Sequence, residues 1–257
     1  MVGLFIIPSL LPPEIQTILL CRLLHRDLSN PAHLTNIHTH YNLNYPPNAD
    51  SFFQSSPDKT GPVAIPLDPS IHRPICIKTL LTRKLRWVTL GGQYNWTEKK
   101  YPELTPPEFP ADIKALLDGI FPDTKSEAAI VNLYSPGDTL SMHRDVAEEC
   151  DKGLISISLG CDAIFTIGNA TEDHDQISSD DFKARTVVLR LHSGDAVYMS
   201  GMSRFAWHGV PQILAGTCPP FLQEWPAGEV KEDFEDWRGW MSNKRINLNV
   251  RQMRETV

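Results

Sequence analysis

The chain has 257 residues, with 24 lysines and arginines against 31 aspartates and glutamates, so its formal net charge is −7. A hydrophobic fraction of 41% and a charged fraction of 21% are ordinary for a globular protein and exclude a disordered chain. The five cysteines contain no CxxC pair, which excludes a disulfide framework and a zinc module. We therefore expect a reducing, intracellular compartment: nucleus, cytoplasm or mitochondrion.

The N-terminal stretch is predicted to be folded protein. Residues 1–20 are fairly apolar, but they lack a basic start and contain Pro12 and Glu14. These features are atypical of a signal peptide or a membrane helix, so we expect no membrane partner. Periodic apolar positions predict a helix over residues 13–27, with a proline suited to its first turn.

The rest of the first half is predicted to be mostly irregular. Residues 28–72 are rich in Asn, Pro, Ser and His and show weak periodicity, so we expect loops and short pieces there. Residues 85–96 are predicted to form an extended or hairpin segment around Gly91 and Gly92. A second helix is predicted over residues 110–121.

From residue 128 onwards the pattern predicts short β-strands. Apolar or alternating stretches follow one another with tight turns between them, such as Ser193-Gly194-Asp195. The predicted strands are residues 129–134, 154–159, 163–167, 186–192, 196–200, 205–210 and 245–251. Regular short strands without long helices between them favour an α+β, mainly β fold, built as an antiparallel double sheet or jelly roll. The helices of the first half would cover one sheet.

Charge is unevenly distributed along the chain. Seven lysines and arginines lie between Arg73 and Lys100, with Glu98 as the one acid among them. Acidic residues gather in segments 172–181 and 224–236. A charged run is usually a solvated face, but a concentrated basic segment also suits phosphates, and both interpretations stay open.

A His-x-Asp pair and a distant histidine form a candidate metal site. His143 and Asp145 are two residues apart, so on an extended segment both side chains point to the same side. His208 supplies a third ligand from a later stretch. Two histidines and one carboxylate leave coordination positions open, as in non-haem iron(II) oxygenases. The His38-x-His40 pair also has metal-binding spacing, but in a polar, loop-like stretch we interpret it as solvated or structural.

The last predicted strand alternates completely between polar and apolar residues. Arg245, Asn247, Asn249 and Arg251 share one face. One interpretation is an amphipathic strand with its polar face in water. The other is a receptor for a dicarboxylate, because guanidinium groups bind carboxylates bidentately. Asn132 and Tyr134 also share a strand face and could complete hydrogen bonds to the same ligand, for which 2-oxoglutarate is the candidate.

These residues resemble the AlkB family of Fe(II)/2-oxoglutarate dioxygenases, and within it the branch of AlkB homologue one. The resemblance runs in consistent order through about two-thirds of the chain. The similar stretches are Lys84–Trp96 (KLRWVTLGGQYNW), Asn132–Asp145 (NLYSPGDTLSMHRD), Ser156–Phe165 (SISLGCDAIF), Ser193–Val210 (SGDAVYMSGMSRFAWHGV) and Arg245–Arg251 (RINLNVR).

The resemblance implies a double-stranded β-helix with a nucleotide-recognition lid. We expect residues 1–127 to form a helical and loop extension with that lid, and residues 128–257 the catalytic core, within one integrated domain. The implied cofactor is Fe(II), with 2-oxoglutarate and O2 as co-substrates. The implied iron ligands are His143, Asp145 and His208. The implied 2-oxoglutarate contacts are Asn132, Tyr134, Arg245, Asn247 and Arg251.

The resemblance also implies a substrate. It places Trp87 and Tyr94 in the lid over a methylated base, where an aromatic ring could stack on a flipped nucleotide; Trp87 as a core residue is the alternative. Arg144 and Arg204 are assigned to the substrate side, Arg204 with a possible role in positioning the distal ligand. The surrounding basic run would then face phosphates.

Three functions follow from these expectations. The first is oxidative demethylation of N6-methyladenine or N1-methyladenine in DNA or tRNA, as in DNA repair or tRNA modification. The second applies the same oxygenase chemistry to a protein, for example a histone, whose basic tail would suit the acidic segments. The third is a binding module with a decayed site. The sequence does not indicate an oligomeric state.

Overall fold

The computed structural model describes residues 2–95, 98, 100–168, 186–228 and 232–255. The α-helices among these residues are α1 (Pro13–Cys21), α2 (Ile77–Thr79), α3 (Ala111–Ile120) and α4 (Pro220–Gln223). Two of them continue as π-helical turns, α1 into Arg22–Asp27 and α2 into Leu80–Lys84. The 3-10 turns are Asn36–Thr39, Pro47–Ala49, Phe52–Gln54, Gly201–Phe205, Glu232–Trp237 and Trp240–Asn243.

The strands form three antiparallel sheets. In chain order they are β1 (Leu4–Ile7), β2 (Tyr41–Leu43), β3 (Pro62–Pro66), β4 (Ile75–Cys76), β5 (Trp87–Gly91), β6 (Ala128–Tyr134), β7 (Leu140–His143), β8 (Leu154–Gly160), β9 (Ala163–Gly168), β10 (Thr186–Leu191), β11 (Ala196–Met199), β12 (Trp207–Ile213) and β13 (Arg245–Arg251). The major sheet has the order β1-β11-β8-β13-β6-β5, the minor sheet β10-β9-β12-β7, and a small sheet β2-β3-β4. One hydrophobic core contains residues of both larger sheets, and the predicted jelly roll is confirmed.

The central strand β13 is buried on both faces. Its apolar face carries Ile246, Leu248 and Val250, which are fully buried. Its polar face is also buried, with Arg245 at 1% and Arg251 at 4% exposure. The interpretation of this strand as having its polar face in water is therefore wrong. Charged side chains are rarely buried without partners, so this inner face needs a functional explanation.

The predicted elements agree well with the observed ones. Residues 13–27 are helical throughout, as α1 and its π-helical turn, and six of the seven predicted strands match within one residue at each end. The exception is the stretch 205–210, because Phe205 closes a 3-10 turn and the strand begins only at Trp207. Segment 85–96 contributes a single strand, β5, that pairs with β6 rather than forming a hairpin within the described residues.

The first half of the chain takes part in the sheets as well as covering them. β1 forms one edge of the major sheet and β5 the other. β1 is not predictable from periodicity, because its four residues are uniformly apolar and show no alternation. The boundary at residues 127 and 128 remains a prediction. None of the helices in the described part of the chain is long and apolar enough to span a bilayer.

His25 makes the stability of the fold dependent on pH. Its ring stacks on Phe234 at a centroid distance of 4.3 Å and on Trp225 at 5.0 Å, and burial lowers its pKa to about 4. Between pH 6.5 and 4, His25 is protonated in the unfolded chain but neutral in the folded chain. The free energy of unfolding therefore falls as the pH falls through this range. We expect His25 to lower the free energy of unfolding at pH 5 by about 1–2 kcal/mol relative to neutral pH, a range that allows for its partial exposure.

The measurement is urea unfolding of the wild type and of His25→Phe at pH 7.5, 6 and 5. Other titrating groups are common to both proteins, so the difference between their unfolding free energies isolates His25. The wild type should lose more stability than the variant on acidification. Parallel pH curves for the two proteins would contradict a neutral, buried His25.

Candidate metal and 2-oxoglutarate site

The two histidines and the aspartate meet where β7 and β12 lie side by side in the minor sheet. His143 is the last residue of β7 and pairs directly with His208 of β12. Strand pairing thus brings together two histidines that are 208 − 143 = 65 residues apart in the sequence. Asp145 follows two residues after His143, where an extended backbone presents both side chains to one side.

The three side chains are close enough to hold one ion. Their ligand atoms all lie within 4.8 Å of one another. Nε2 of His143 is 3.9 Å from Oδ1 of Asp145, and Nε2 of His208 is 3.8 Å from Oδ2. The His143 side chain is 34% exposed against 5% for His208, so the site opens on the His143 side. Two imidazoles and one carboxylate with open positions are the ligand set of non-haem iron(II).

Both histidines are oriented by a backbone carbonyl two residues earlier. Nδ1 of His143 is 2.9 Å from the oxygen of Ser141, and Nδ1 of His208 is 3.0 Å from the oxygen of Ala206. A carbonyl oxygen only accepts hydrogen bonds, so each ring carries its proton on Nδ1 and donates it there. The Nε2 lone pair of each ring is therefore available to a metal.

Electrostatics favours the protonation states that bind metal. Burial opposes ionisation of Asp145, but the positive charge of Arg251 and the neighbouring histidines hold the pKa of its carboxyl below the ordinary value. Nη2 of Arg251 lies 3.3 Å from Oδ2 of this carboxylate. Burial lowers the pKa of His208 against the attraction of Asp145. An ionised carboxylate and a neutral imidazole are the forms that coordinate a metal.

The polar face of β13 lies beside this cluster. Arg245 pairs with Tyr134 of β6, and Asn247 pairs with Asn132. Residues that pair across antiparallel strands project from the same face, so all four belong to the inner face of the major sheet. Arg251, at the end of the strand, lies 3.3 Å from the carboxylate of Asp145, one of the predicted ligands. Sheet geometry therefore joins the predicted dicarboxylate receptor to the predicted metal ligands.

Unsatisfied buried donors on this face fit a dicarboxylate. Nη2 of Arg245 donates to Oγ of Ser158 at 3.0 Å, whereas its Nε and Nη1 have no partner within the described protein. Burial lowers the pKa of this guanidinium. Nε of Arg251 is likewise unsatisfied. Buried donors without partners are costly, and carboxylate oxygens would satisfy them. The residues present therefore fit iron(II) together with 2-oxoglutarate.

Asn247 differs from its predicted role. Its amide nitrogen donates to Oγ of Ser156 at 2.8 Å and to the oxygen of Ile157 at 3.1 Å. Both N–H donors are thus used within the sheet, and only an acceptor oxygen is left. A carboxylate needs donors, so Asn247 orders β13 against β8 instead of donating to 2-oxoglutarate.

The aromatic residues of the predicted lid lie at the β5 edge of the same face. Trp87 is half-buried and pairs with Asn132 of β6. Tyr94 follows β5, and its ring lies 5.4 Å from that of Tyr101 at an interplanar angle of 67°. Tyr101 is a further residue of this region that the sequence did not predict, and its hydroxyl donates to Oε1 of Glu148 at 3.4 Å. No motif marks Tyr101; only its position shortly after Tyr94 could have suggested it.

The two arginines assigned to the substrate side lie in different environments. Arg144 is exposed, and its guanidinium lies 5.3 Å from the ring centre of Trp207. Arg204 is 1% exposed and donates to the backbone carbonyl oxygens of Asp145 and Lys152. Its third nitrogen donates to Oε2 of Glu148, so each guanidinium nitrogen has a protein acceptor, which argues against the predicted contact with substrate. Arg204 lies in the turn directly before the strand of His208, and this position suits the other predicted role, positioning of the distal ligand.

The remaining charged and histidine features lie outside the ligand cluster. His38 caps a 3-10 turn through Thr35, which fits the structural interpretation of the His38-x-His40 pair. The described basic residues of the run from Arg73 to Lys100 are exposed. Three of these residues also form ion pairs, Lys78 with Asp58, Arg86 with Asp138 and Lys100 with Glu98. Lys99 and the acidic segment 172–181 fall outside the described residues.

Comparison with known proteins places this site in a family. The sequence model of the 2OG-Fe(II) oxygenase superfamily matches residues 3–251. The chain is 54% identical to a Pyricularia oryzae protein described as N6-methyladenosine RNA demethylase ALKB1, over 98% of this chain and 75% of that protein. It is 39% identical to the Schizosaccharomyces pombe protein tRNA demethylase abh1, over 98% of this chain and 79% of that one.

A solved structure shows the same fold. The structure titled "The structure of OsALKBH1" superposes with a TM-score of 0.57 at 18% sequence identity, covering 97% of this chain and 96% of that one. At this identity the likeness concerns the fold. It supports the jelly-roll arrangement of the two larger sheets.

Proposed function

Because the chain belongs to the AlkB family within the 2OG-Fe(II) oxygenase superfamily, we propose that it demethylates N-methylated adenine in nucleic acid, using Fe(II) and 2-oxoglutarate. The related Pyricularia and Schizosaccharomyces proteins are named as RNA and tRNA demethylases, which makes RNA the first substrate class to test. The observation that carries the proposal is the contact between the two parts of the site. Arg251, on the dicarboxylate face, lies 3.3 Å from the metal ligand Asp145.

The chain's own residues would hold both groups. Iron(II) would bind to Nε2 of His143, Nε2 of His208 and the Asp145 carboxylate, and the two carboxylates of 2-oxoglutarate would meet Arg245 and Arg251. When bound, iron with 2-oxoglutarate and O2 supplies the oxidation: one oxygen atom enters an N-methyl C–H bond, while 2-oxoglutarate becomes succinate and CO2. The C–N bond of the resulting N-hydroxymethyl group then breaks and formaldehyde leaves. With N6-methyladenine the hydroxyl proton passes to the exocyclic amine, and with the cationic N1-methyladenine it is released while N1 becomes neutral.

The protein's contribution is order and orientation. Carbonyl oxygens hold both imidazole rings with Nε2 towards the carboxylate. The guanidinium of Arg245 is held by Ser158 and lies 5.5 Å from the ring centre of Tyr134. Because these donors are fixed before any ligand arrives, little ordering is needed on binding. The more exposed His143 side leaves room for a substrate methyl group.

The substrate side supports a nucleobase and its phosphates. Trp87 and Tyr94 offer aromatic surface next to the co-substrate face, and such rings stack on extruded bases. Arg73, Arg83 and Lys84 are exposed in the neighbouring segment. Lysines and arginines concentrated beside a site suit a phosphate backbone even in an acidic chain.

The test is a demethylation assay on matched oligonucleotides. RNA and DNA of one sequence, carrying N6-methyladenine or N1-methyladenine, are incubated with enzyme, Fe(II), 2-oxoglutarate and O2. Loss of the methyl mark and formation of succinate are followed by mass spectrometry. We expect loss of the mark from RNA that requires 2-oxoglutarate. Loss from DNA alone would move the substrate to DNA. Succinate without demethylation of either polymer would contradict the proposal and direct the search to a protein substrate.

Trp87→Ala is expected to weaken demethylation while sparing the site itself. Stacking of a base on an aromatic ring contributes about 1–3 kcal/mol, so the kcat/KM for methylated RNA should fall by about 5- to 150-fold. Succinate formed without substrate should stay near the wild-type rate, because Trp87 lies on the edge strand β5 and is neither a candidate metal ligand nor one of the two receptor arginines. Trp87→Phe should keep most of the activity.

Val88→Ala is the matched control for this prediction. Val88 is the next residue on β5 and is fully buried on the opposite face. Its truncation should lower the melting temperature without changing KM for RNA. If Trp87→Ala behaved like Val88→Ala, with lower stability and unchanged kcat/KM, Trp87 would be a core residue and the stacking role would be wrong.

A further inference from the structure

A buried carboxylate lies behind the metal ligands and has no role in the proposal so far. The Glu148 side chain, three residues after Asp145, is 1% exposed. Oε2 accepts from Nη2 of Arg204 at 2.8 Å, and Oε1 lies 3.4 Å from Nη1 of Arg251. The hydroxyl of Tyr101 donates to Oε1 at 3.4 Å. A carboxylate is stable inside a protein only when it is paired in this way.

Arg204 connects Glu148 to the backbone of a metal ligand. Its Nη1 donates to the carbonyl oxygen of Asp145 at 2.6 Å, and its Nε donates to that of Lys152 at 2.9 Å. Arg204 itself lies in the 3-10 turn Gly201–Phe205, directly before the strand that carries the distal histidine. The Arg204 guanidinium therefore connects the loop after β7 to the turn before β12. Its remaining nitrogen, Nη2, donates to Glu148.

Arg251 connects Glu148 to the side chain of the same ligand. Its Nη2 lies 3.3 Å from Oδ2 of Asp145 while its Nη1 faces Glu148. The cluster thus contains two guanidinium groups and two carboxylates, all at most 13% exposed. Without the charge of Glu148, Arg204 would lose its ion-pair partner and Arg251 would be left with Asp145 as its partner among the described ion pairs. The metal would then compete with the full charge of Arg251 for the Asp145 carboxylate.

We propose that Glu148 is a positioning residue for the metal ligand Asp145. It shares the charge of Arg251 and fixes Arg204, which leaves the Asp145 carboxylate correctly placed and available to the ion. Partners of this kind behind metal ligands tune affinity as well as geometry. This inference rests on the proposed function, since it assumes that His143, Asp145 and His208 bind a metal.

A rival role for Glu148 is contact with the substrate base. An ionised carboxylate beside the site could accept a hydrogen bond from an amino group of a base. Here both carboxylate oxygens are engaged by buried side chains, and the side chain is 1% exposed. The neighbouring Glu149 is exposed at 78% and lies 3.6 Å from Arg254, so the two adjacent acids have different environments. That contrast supplies a matched control.

The test measures Mn(II) affinity of the purified protein by electron paramagnetic resonance, without co-substrate, nucleic acid or turnover. We expect Glu148→Gln to raise the Kd for Mn(II) by about 10- to 100-fold, the range typical of partners behind metal ligands. Glu149→Gln should bind Mn(II) like the wild type. Titrations are run well below the melting temperature of each variant, so that every sample is folded. If the role of Glu148 were purely structural, Glu148→Gln would have a lower melting temperature but an unchanged Kd for Mn(II).

A second variant covers the case in which Glu148→Gln does not fold. Arg204→Lys keeps the positive charge beside Glu148 but loses the planar fork that reaches Asp145 and Lys152. It should also raise the Kd for Mn(II). Wild-type affinity in folded Glu148→Gln, or in Arg204→Lys when only that variant folds, would overturn the inference. Failure of the wild type itself to bind Mn(II) would instead count against the metal site of the proposed function.

Discussion

Replacement of His143 by alanine is expected to reduce both demethylation and succinate formation by at least about 10³-fold, because a bound metal contributes several kcal/mol to the transition state. His143 is the most exposed of the three proposed ligands, so its truncation should leave the fold intact. The ring lies 4.4 Å from that of His208, and its loss leaves one imidazole and one carboxylate at the site. Two ligands do not hold iron(II) at the affinity of three.

The measurements are metal content after loading, succinate formation and loss of the methyl mark in the same samples. His40→Ala is the control, since His40 is exposed and belongs to the other histidine pair with metal-binding spacing. It should retain metal and activity. Turnover in His143→Ala close to that of the wild type, or loss of metal in His40→Ala, would show that the ion binds elsewhere.

Much of this site could be predicted because its parts have periodic signatures. A His-x-Asp pair on an extended segment and an Arg-x-Asn-x-Asn-x-Arg strand each place their side chains on one face by backbone geometry alone. The observed strand β13 spans the predicted residues 245–251, and its register with β6 puts Arg245 opposite Tyr134. Local alternation thus predicted which residues could meet.

The charged residues behind the ligands could not be predicted in the same way. Glu148, Arg204 and Tyr101 come from three separate segments and meet only through tertiary packing. In the sequence Glu148 is one of two adjacent acids, and nothing local separates it from the exposed Glu149. The two side chains differ in exposure because that of Glu148 points towards the buried Arg204 and Arg251, whereas that of Glu149 points towards solvent. Such distinctions require long-range contacts, which periodicity does not encode.

The inner face of the major sheet holds a buried positive charge that the described protein satisfies only in part. Arg245 is buried with two unsatisfied donors, and burial lowers the pKa of its guanidinium. Binding sites commonly retain groups that cost stability in the free protein, because those groups are satisfied only by the ligand. Arg245 is therefore expected to have opposite effects on stability and on binding.

Arg245→Met should weaken 2-oxoglutarate binding by about 10²- to 10³-fold, since a buried guanidinium–carboxylate contact contributes roughly 3–4 kcal/mol. The same change removes a buried, under-satisfied charge and replaces it with an apolar chain of similar length. We therefore expect the ligand-free variant to be more stable by about 1–2 kcal/mol, or about 2–6 °C in melting temperature. Binding is measured by calorimetry on the Mn(II)-loaded protein, and stability by thermal unfolding without ligands.

Arg22→Met provides the comparison, because Arg22 is exposed and pairs with Asp112 on the outer surface. It should change neither the Kd for 2-oxoglutarate nor the melting temperature appreciably. A loss of binding accompanied by a lower melting temperature in Arg245→Met would mean that the arginine is a structural element of the core. Unchanged binding would remove it from the co-substrate receptor. Only the combination of weaker binding and higher stability identifies a guanidinium that the fold holds ready for a carboxylate.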